Sequence, residues 1–181
     1  AAVMIMLASV VVFARVLAEL AVVATGSLWV MAPPLLAMMV GMAGITAFMF
    51  HRLGSGLEAP SMDEPPSDLK AAVIFGALYA LILMGLTYAQ EQMGDRGLYL
   101  VGFISGLTDM DAITLSSAHM VSDGEMTAST GWRVVLVGGM SNLLFKAGIA
   151  VALGGKGLRK PVLAGFAGSL AVGGLILALW P

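Results

Sequence analysis

The sequence predicts an all-α membrane protein: a polytopic bundle of about five full transmembrane helices plus one broken or re-entrant helix, arranged as an inverted repeat. Three observations carry this. Of 181 residues, 59% are hydrophobic and 11% charged, against roughly 45–50% and about 25% in soluble domains. The charges gather between long apolar runs and leave those runs nearly clean, which is the hydropathy pattern of spanning helices. One apolar stretch is interrupted in its middle by two aspartates. Residues 1–181 read as a single transmembrane domain. A net charge of −2 without a basic tract gives no footprint for nucleic acid. The absence of cysteine removes disulfides and thiol chemistry together.

The first span runs from Ala1 to about Ala24, long enough to cross about 30 Å of hydrocarbon. It opens directly on an apolar helix with no initiator Met, so the chain reads as part of a longer polypeptide whose N-terminal membrane region precedes it. Thr25-Gly26-Ser27 turns the chain, and Pro33-Pro34 suits the first turn of a second span, about Ala32 to Phe50. Residues 51–68, with His51, Arg52, two glycines and three prolines, form a polar loop in water that ends at Ser67, a helix N-cap. A third span covers about Leu69 to Ala89, closed by the polar run Gln90 to Arg96.

Residues 97–121 are mostly apolar, yet their middle reads Ser105-Gly106-Leu107-Thr108-Asp109-Met110-Asp111. That is too polar for a plain span and predicts a broken helix. Val134 to Leu153 and Pro161 to Trp180 complete the set, joined by a basic turn. The Val134 span repeats the first in carrying a mid-helix basic residue followed by a short turn and a Pro-initiated helix. If 97–121 re-enters, Arg52, Lys70, Lys156, Arg159 and Lys160 share one side against Arg96 and Arg133, a clearer positive-inside asymmetry than a crossing gives. Re-entry also makes the first and Val134 spans antiparallel, as in transporters with inverted repeats.

The chemistry-bearing residues lie at this break. Thr108 as N-cap with Asp111 three positions on fits a capping box. A carboxylate at membrane depth costs about 2.5–3.5 kcal/mol, however, and a cap returns only about 1 kcal/mol. Asp109 and Asp111, with Ser105, Thr108, Thr114 and Asn142, therefore supply hard oxygen ligands for a cation, with the two aspartates as the metal ligands, or else a carboxyl that carries a proton. Arg15 and Glu19, four apart, form an internal salt bridge or touch substrate. Lys146, four residues beyond Asn142, has no acid on its own helix, so its partner is Asp109 or Asp111, as a lock or as a switch. His119 is interfacial or a relay, and the fourteen methionines fill the core. No nucleophile motif or phosphate loop is present, so no enzymatic activity and no cofactor beyond a bound cation are expected.

Gly94-Asp95-Arg96-Gly97-Leu98-Tyr99-Leu100, the run Ser105 to Ser116, and Ser141-Asn142 with Lys146-Ala147-Gly148 resemble the uncharacterised C-terminal membrane domain of MgtC/SapB-type bacterial proteins. The resemblance implies a multi-pass protein of the bacterial inner membrane with a traditional link to magnesium transport. It also implies a Gly-rich polar segment ahead of the Arg-bearing helix, absent from these residues. The expected function is transport of a cation, a divalent metal such as magnesium or a coupling proton or sodium, with the bilayer and a homo-oligomeric copy as partners. The alternative is a non-transporting regulatory membrane protein of the same type.

Overall fold

A computed structural model describes residues 2–53, 93–153 and 156–181, with isolated helical positions between 80 and 91. The expected Leu69–Ala89 span and most of the 51–68 loop lie outside the described residues. Six helices carry the described fold: α1 (Ala2–Val23), α2 (Leu28–Leu53), α3 (Asp95–Thr108), α4 (Met110–Ser122), α5 (Ala128–Leu153) and α6 (Lys156–Leu179). Four of them, α1, α2, α5 and α6, are long and apolar enough to cross a membrane.

Their outer surface is oily. Val22, Trp29 and Leu179 are 78%, 89% and 77% exposed, a density of bare apolar side chains that water would not tolerate and a bilayer does. Methionine fills the inside: Met6, Met31, Met38, Met42, Met110, Met120 and Met126 are all buried, as flexible side chains that fit irregular gaps between helices.

α1 and α2 form a hairpin closed by one 3-10 turn, Thr25–Ser27. α2 begins at Leu28, earlier than the prolines suggest, so that Pro33 and Pro34 lie inside the helix. α6 likewise begins at Lys156 with Pro161 inside it. Prolines are tolerated there because spanning helices find local substitutes for a missing backbone bond. α5 also starts early, at Ala128, where the Thr127 hydroxyl accepts the Thr130 N–H at 3.1 Å as a side-chain cap. At the other polar boundary, α2 absorbs His51, Arg52 and Leu53 from the expected loop.

Close approaches fix the helix directions. Gly41, Ile45 and Met49 of α2 meet Val172, Gly168 and Gly165 of α6 in turn, so these two helices run antiparallel. Met140 against Gly173, and the Arg133–Trp180 hydrogen bond, make α5 antiparallel to α6. α3 climbs alongside α5: Gly102 sits on Val134 and Gly106 on Gly138. α4 descends it, with Met110 and Ile113 near Gly138 and Val121 near Gly131. The chain thus rises in α3, reverses within the one-residue break at Asp109 and returns in α4. α1 runs opposite to α5, because Met6 packs with Met49 around Gly165 and Phe13 reaches Gly139. Gly94 opens α3 at φ +58, a left-handed value that glycine adopts without strain.

Candidate functional site at the helix break

α3 ends because Asp109 leaves the helical region at φ −149 and ψ 123, while its N–H still donates to the Ser105 carbonyl at 2.9 Å. The same residue starts α4. Its side chain accepts the Asp111 N–H at 2.8 Å, an N-cap that satisfies one of the free donors of the new helix. The cap is therefore Asp109 and not the expected Thr108. The Thr108 hydroxyl instead donates back to Ser105 O at 3.0 Å. Serine and threonine in helices commonly bond locally to backbone carbonyls, and Thr114 does so too, donating to Met110 O at 2.7 Å.

Asp109 thus points its carboxyl at backbone, which leaves Asp111 to face outward from the first turn of α4. Asp111 pairs there with Arg15 of α1. This replaces both expected pairings, Arg15 with Glu19 and Lys146 with an aspartate. Measured along α1, Arg15 lies about 20 Å of helix rise from Ala2 and about 12 Å from Val23, well inside a helix long and apolar enough to cross a membrane. The Arg15 side chain is 59% exposed and that of Asp111 19%.

Glu19, one turn along α1, joins them. Asp111, Arg15 and Asp109 are all within electrostatic range of its carboxyl, and its Oε2 is buried with no hydrogen-bond partner among the described residues. One guanidinium thereby serves two carboxyls, Asp111 and Glu19, with Asp109 in electrostatic range of both. Desolvation makes that excess of negative charge expensive at this depth. Even so, among the described residues no group of three or more His, Asp or Glu side chains is arranged to hold a metal ion.

The remaining candidate residues hold the break in place. Ser105 is buried. The Ser141 hydroxyl donates to Phe103 O at 2.6 Å, and the Asn142 amide donates to Gly106 O at 3.1 Å. Together they attach the upper turn of α3 to α5. Lys146 is half-buried on α5 and forms no ion pair among the described residues. His119 is exposed near the end of α4. The residue whose place in the cluster pattern reading missed is Glu19. Its four-residue spacing from Arg15 suggested an internal pair, and only the packing of α1 against α4 reveals the shared neighbourhood.

Comparison with known proteins gives a family without a described function. An uncharacterized protein of Aquifex aeolicus (strain VF5) is 38% identical over 94 residues, which make up 52% of this chain and 41% of that protein. The matched stretch is thus less than half the length of this relative. No solved structure matches. A family model described as a domain of unknown function, DUF4010, matches residues 1–154. The chain belongs to the DUF4010 family.

Proposed function

We propose that this domain is an ion-coupled membrane transporter in which a proton or cation competes with Arg15 for the acidic site at the helix break. The observation that carries the reading is the Arg15–Asp111 pair at membrane depth, with Glu19 beside it presenting a buried, partnerless oxygen. Intramembrane charge is costly and marks ion pathways by default. An arriving positive charge offsets the surplus carboxylate and loosens the hold of Arg15 on Asp111, which gives the site two states. Asp109, spent on capping α4, shapes the site and adds charge to it. Glu19 is the carboxyl we assign as proton carrier, with Asp111 as its exchange partner. A metal ion on Asp109 and Asp111 requires Arg15 to withdraw first.

The architecture favours transport. A helix break at mid-depth, flanked by antiparallel hairpins, is how many secondary transporters build a site. α2 and α6 both carry proline as their sixth residue, counted from Leu28 and Lys156, and the hairpins α1–α2 and α5–α6 run in opposite directions, which supports the inverted repeat. The reversal at Asp109 supports re-entry of α3–α4 from one face. It puts Arg52, Arg159 and Lys160 at the end of the bundle opposite Arg96 and Arg133, the asymmetry expected of a cytoplasmic end. The MgtC/SapB resemblance and its link to magnesium rest on shared motifs alone.

A non-transporting regulatory role is the second reading, favoured by the fact that Arg15 and Asp111 already satisfy each other. Flux in proteoliposomes separates the two, using a cation panel and an imposed pH gradient. The parent is compared with Asp109→Asn, Asp111→Asn and Glu19→Gln. The transporter reading expects Asp111→Asn and Glu19→Gln each to lose at least about tenfold in rate, the cost of one lost charge interaction of about 1.4 kcal/mol. Unchanged flux in both, or no flux from folded full-length parent, leaves the regulatory reading.

A further inference from the structure

We infer that a water-filled vestibule runs along the open face of α1 and α4, from the Arg96 and Arg133 end of the bundle to the Arg15–Asp111 pair, and that the face is closed to water from the opposite end. The first observation is exposure. The Arg15 side chain is 59% exposed although it lies well inside a helix of spanning length. Lipid is a poor cover for a guanidinium, and charged side chains at such positions face protein or a water-filled cavity. The second observation is a line of open positions on α4. Asp111, Leu115, His119 and Ser122 follow one another at i, i+4, i+8 and i+11, which is one face of a helix. All four are partly or fully exposed, while every other residue from Met110 to Val121 is buried.

The polarity of this face has a direction. α1 and α4 both run opposite to α5, so they descend side by side, and Val23 and Ser122 emerge at one end. Toward that end Arg15 has only about 12 Å of helix rise to Val23. There the open positions turn polar, with His119, Ser122 and Asp123 exposed on the α4 side and Thr25 on the α1 side. Toward the other end α1 runs about 20 Å to Ala2, and its outward residues Val11, Ala8 and Leu7 are apolar. The one polar side chain of α1 ahead of Arg15 is Ser9, which is buried and donates its hydroxyl to Ile5 O at 3.0 Å. Water suits this face better than a second copy of the chain does. A copy laid on it brings the same surplus of carboxylate, and like charges brought together repel. Use of the vestibule as the entry for an ion rests on the transporter reading, whereas its presence does not.

These residues contain no cysteine, so a single introduced thiol reports on its own surroundings. Ala18→Cys and Leu115→Cys, each about one turn past the pair toward the Arg96 end, are made in full-length protein in sealed membrane vesicles of known orientation. Both are treated with a cationic, membrane-impermeant methanethiosulfonate, and the thiols that remain are counted after denaturation by the gel shift of a maleimide polymer. Leu7→Cys and Val40→Cys, on exposed apolar surface, are the controls. A thiol reacts as its thiolate, and one unit of pKa rise in apolar surroundings removes about nine-tenths of that thiolate. We therefore expect both test thiols to react at least about tenfold faster than the controls from the Arg96 side, and at the control rate from the Arg52 side. Reaction at the control rate from both sides means that lipid or another chain covers the face, and overturns the proposal. Faster reaction from the Arg52 side reverses the path and overturns it equally. The two positions lie on different helices, so the test stands on the other if one substitution disturbs packing. Labelling needs no flux: a labelled face in a folded protein that carries nothing refutes the transporter reading alone, and flux through a protein whose test thiols react at the control rate refutes the vestibule alone.

Discussion

Replacing Gly106 by alanine tests how the helix break is held. A β-carbon at this position would stand 2.2 Å from the Gly138 carbonyl oxygen and 2.5 Å from its α-carbon. Both atoms belong to the backbone of α5, so no side chain can rotate away. Restoring even a 3.0 Å contact with the oxygen moves α3 off α5 by at least 0.8 Å, the difference of 3.0 and 2.2. That displacement pulls on the Ser141–Phe103 and Asn142–Gly106 bonds, which measure 2.6 Å and 3.1 Å. Overpacking costs about 1–3 kcal/mol, and two interhelical hydrogen bonds in a membrane protein add about 0.6 kcal/mol each. The expected loss is about 2–4 kcal/mol. It is read by reversible unfolding in mixed detergent, with Gly148→Ala as the control because nothing lies within 4 Å of a β-carbon there. The control should unfold like the parent or slightly later, since alanine is the better helix former. If Gly106→Ala unfolds with its control, the close contact does not hold α3 to α5 and the reasoning fails.

Two further substitutions probe other joints by the same unfolding assay. Asp109→Ala removes the cap on α4 and should cost about 1 kcal/mol, while Asp109→Ser retains most of the stability; equal losses in both would mean that the carboxylate charge, not the cap, stabilises the break. Arg133 donates to Ser129 O and to Trp180 O, and its guanidinium lies 4.3 Å from the centre of the Trp132 ring. Arg133→Ala should therefore cost about 1–2 kcal/mol and speed hydrogen exchange in the last turn of α6, and unaltered exchange there would show that the contact to Trp180 is idle.

What the sequence discloses and what it hides follow from the range of the forces involved. Span boundaries are local matters of hydropathy, so α1 falls within a residue of the Ala1–Ala24 reading. The break at residues 108–111 is legible because two acids are too costly in the middle of an unbroken oily span. Helix starts are harder. α2 and α6 begin a turn ahead of their prolines, and α5 and α6 begin on polar residues ahead of the apolar run, since a helix that is capped or packed need not wait for either signal. Pairings are hardest of all. Arg15 and Asp111 lie 96 positions apart, and no spacing rule chooses between Asp111 and the nearby Glu19 until α1 and α4 are placed side by side. Lys146 misleads for the same reason: a lysine without an acid on its helix invites a partner, yet its i, i+4 neighbour Asn142 is the residue that reaches across to the break.

The single extended residue at Asp109 has an evolutionary consequence. Because α3 stops and α4 starts with only one residue between them, the rotational phase of α4 is set by chain length alone. One residue inserted or deleted there would turn every following side chain by about 100° around the helix axis. Asp111 would then face away from Arg15, and the buried face of α4 would be swung toward lipid. Lineages descended from this chain can exchange residue types at the break, but they can change its length only if α4 is rebuilt at the same time. The turn between Ser122 and Ala128, exposed at residues 122–125, is the neighbouring place where length can drift.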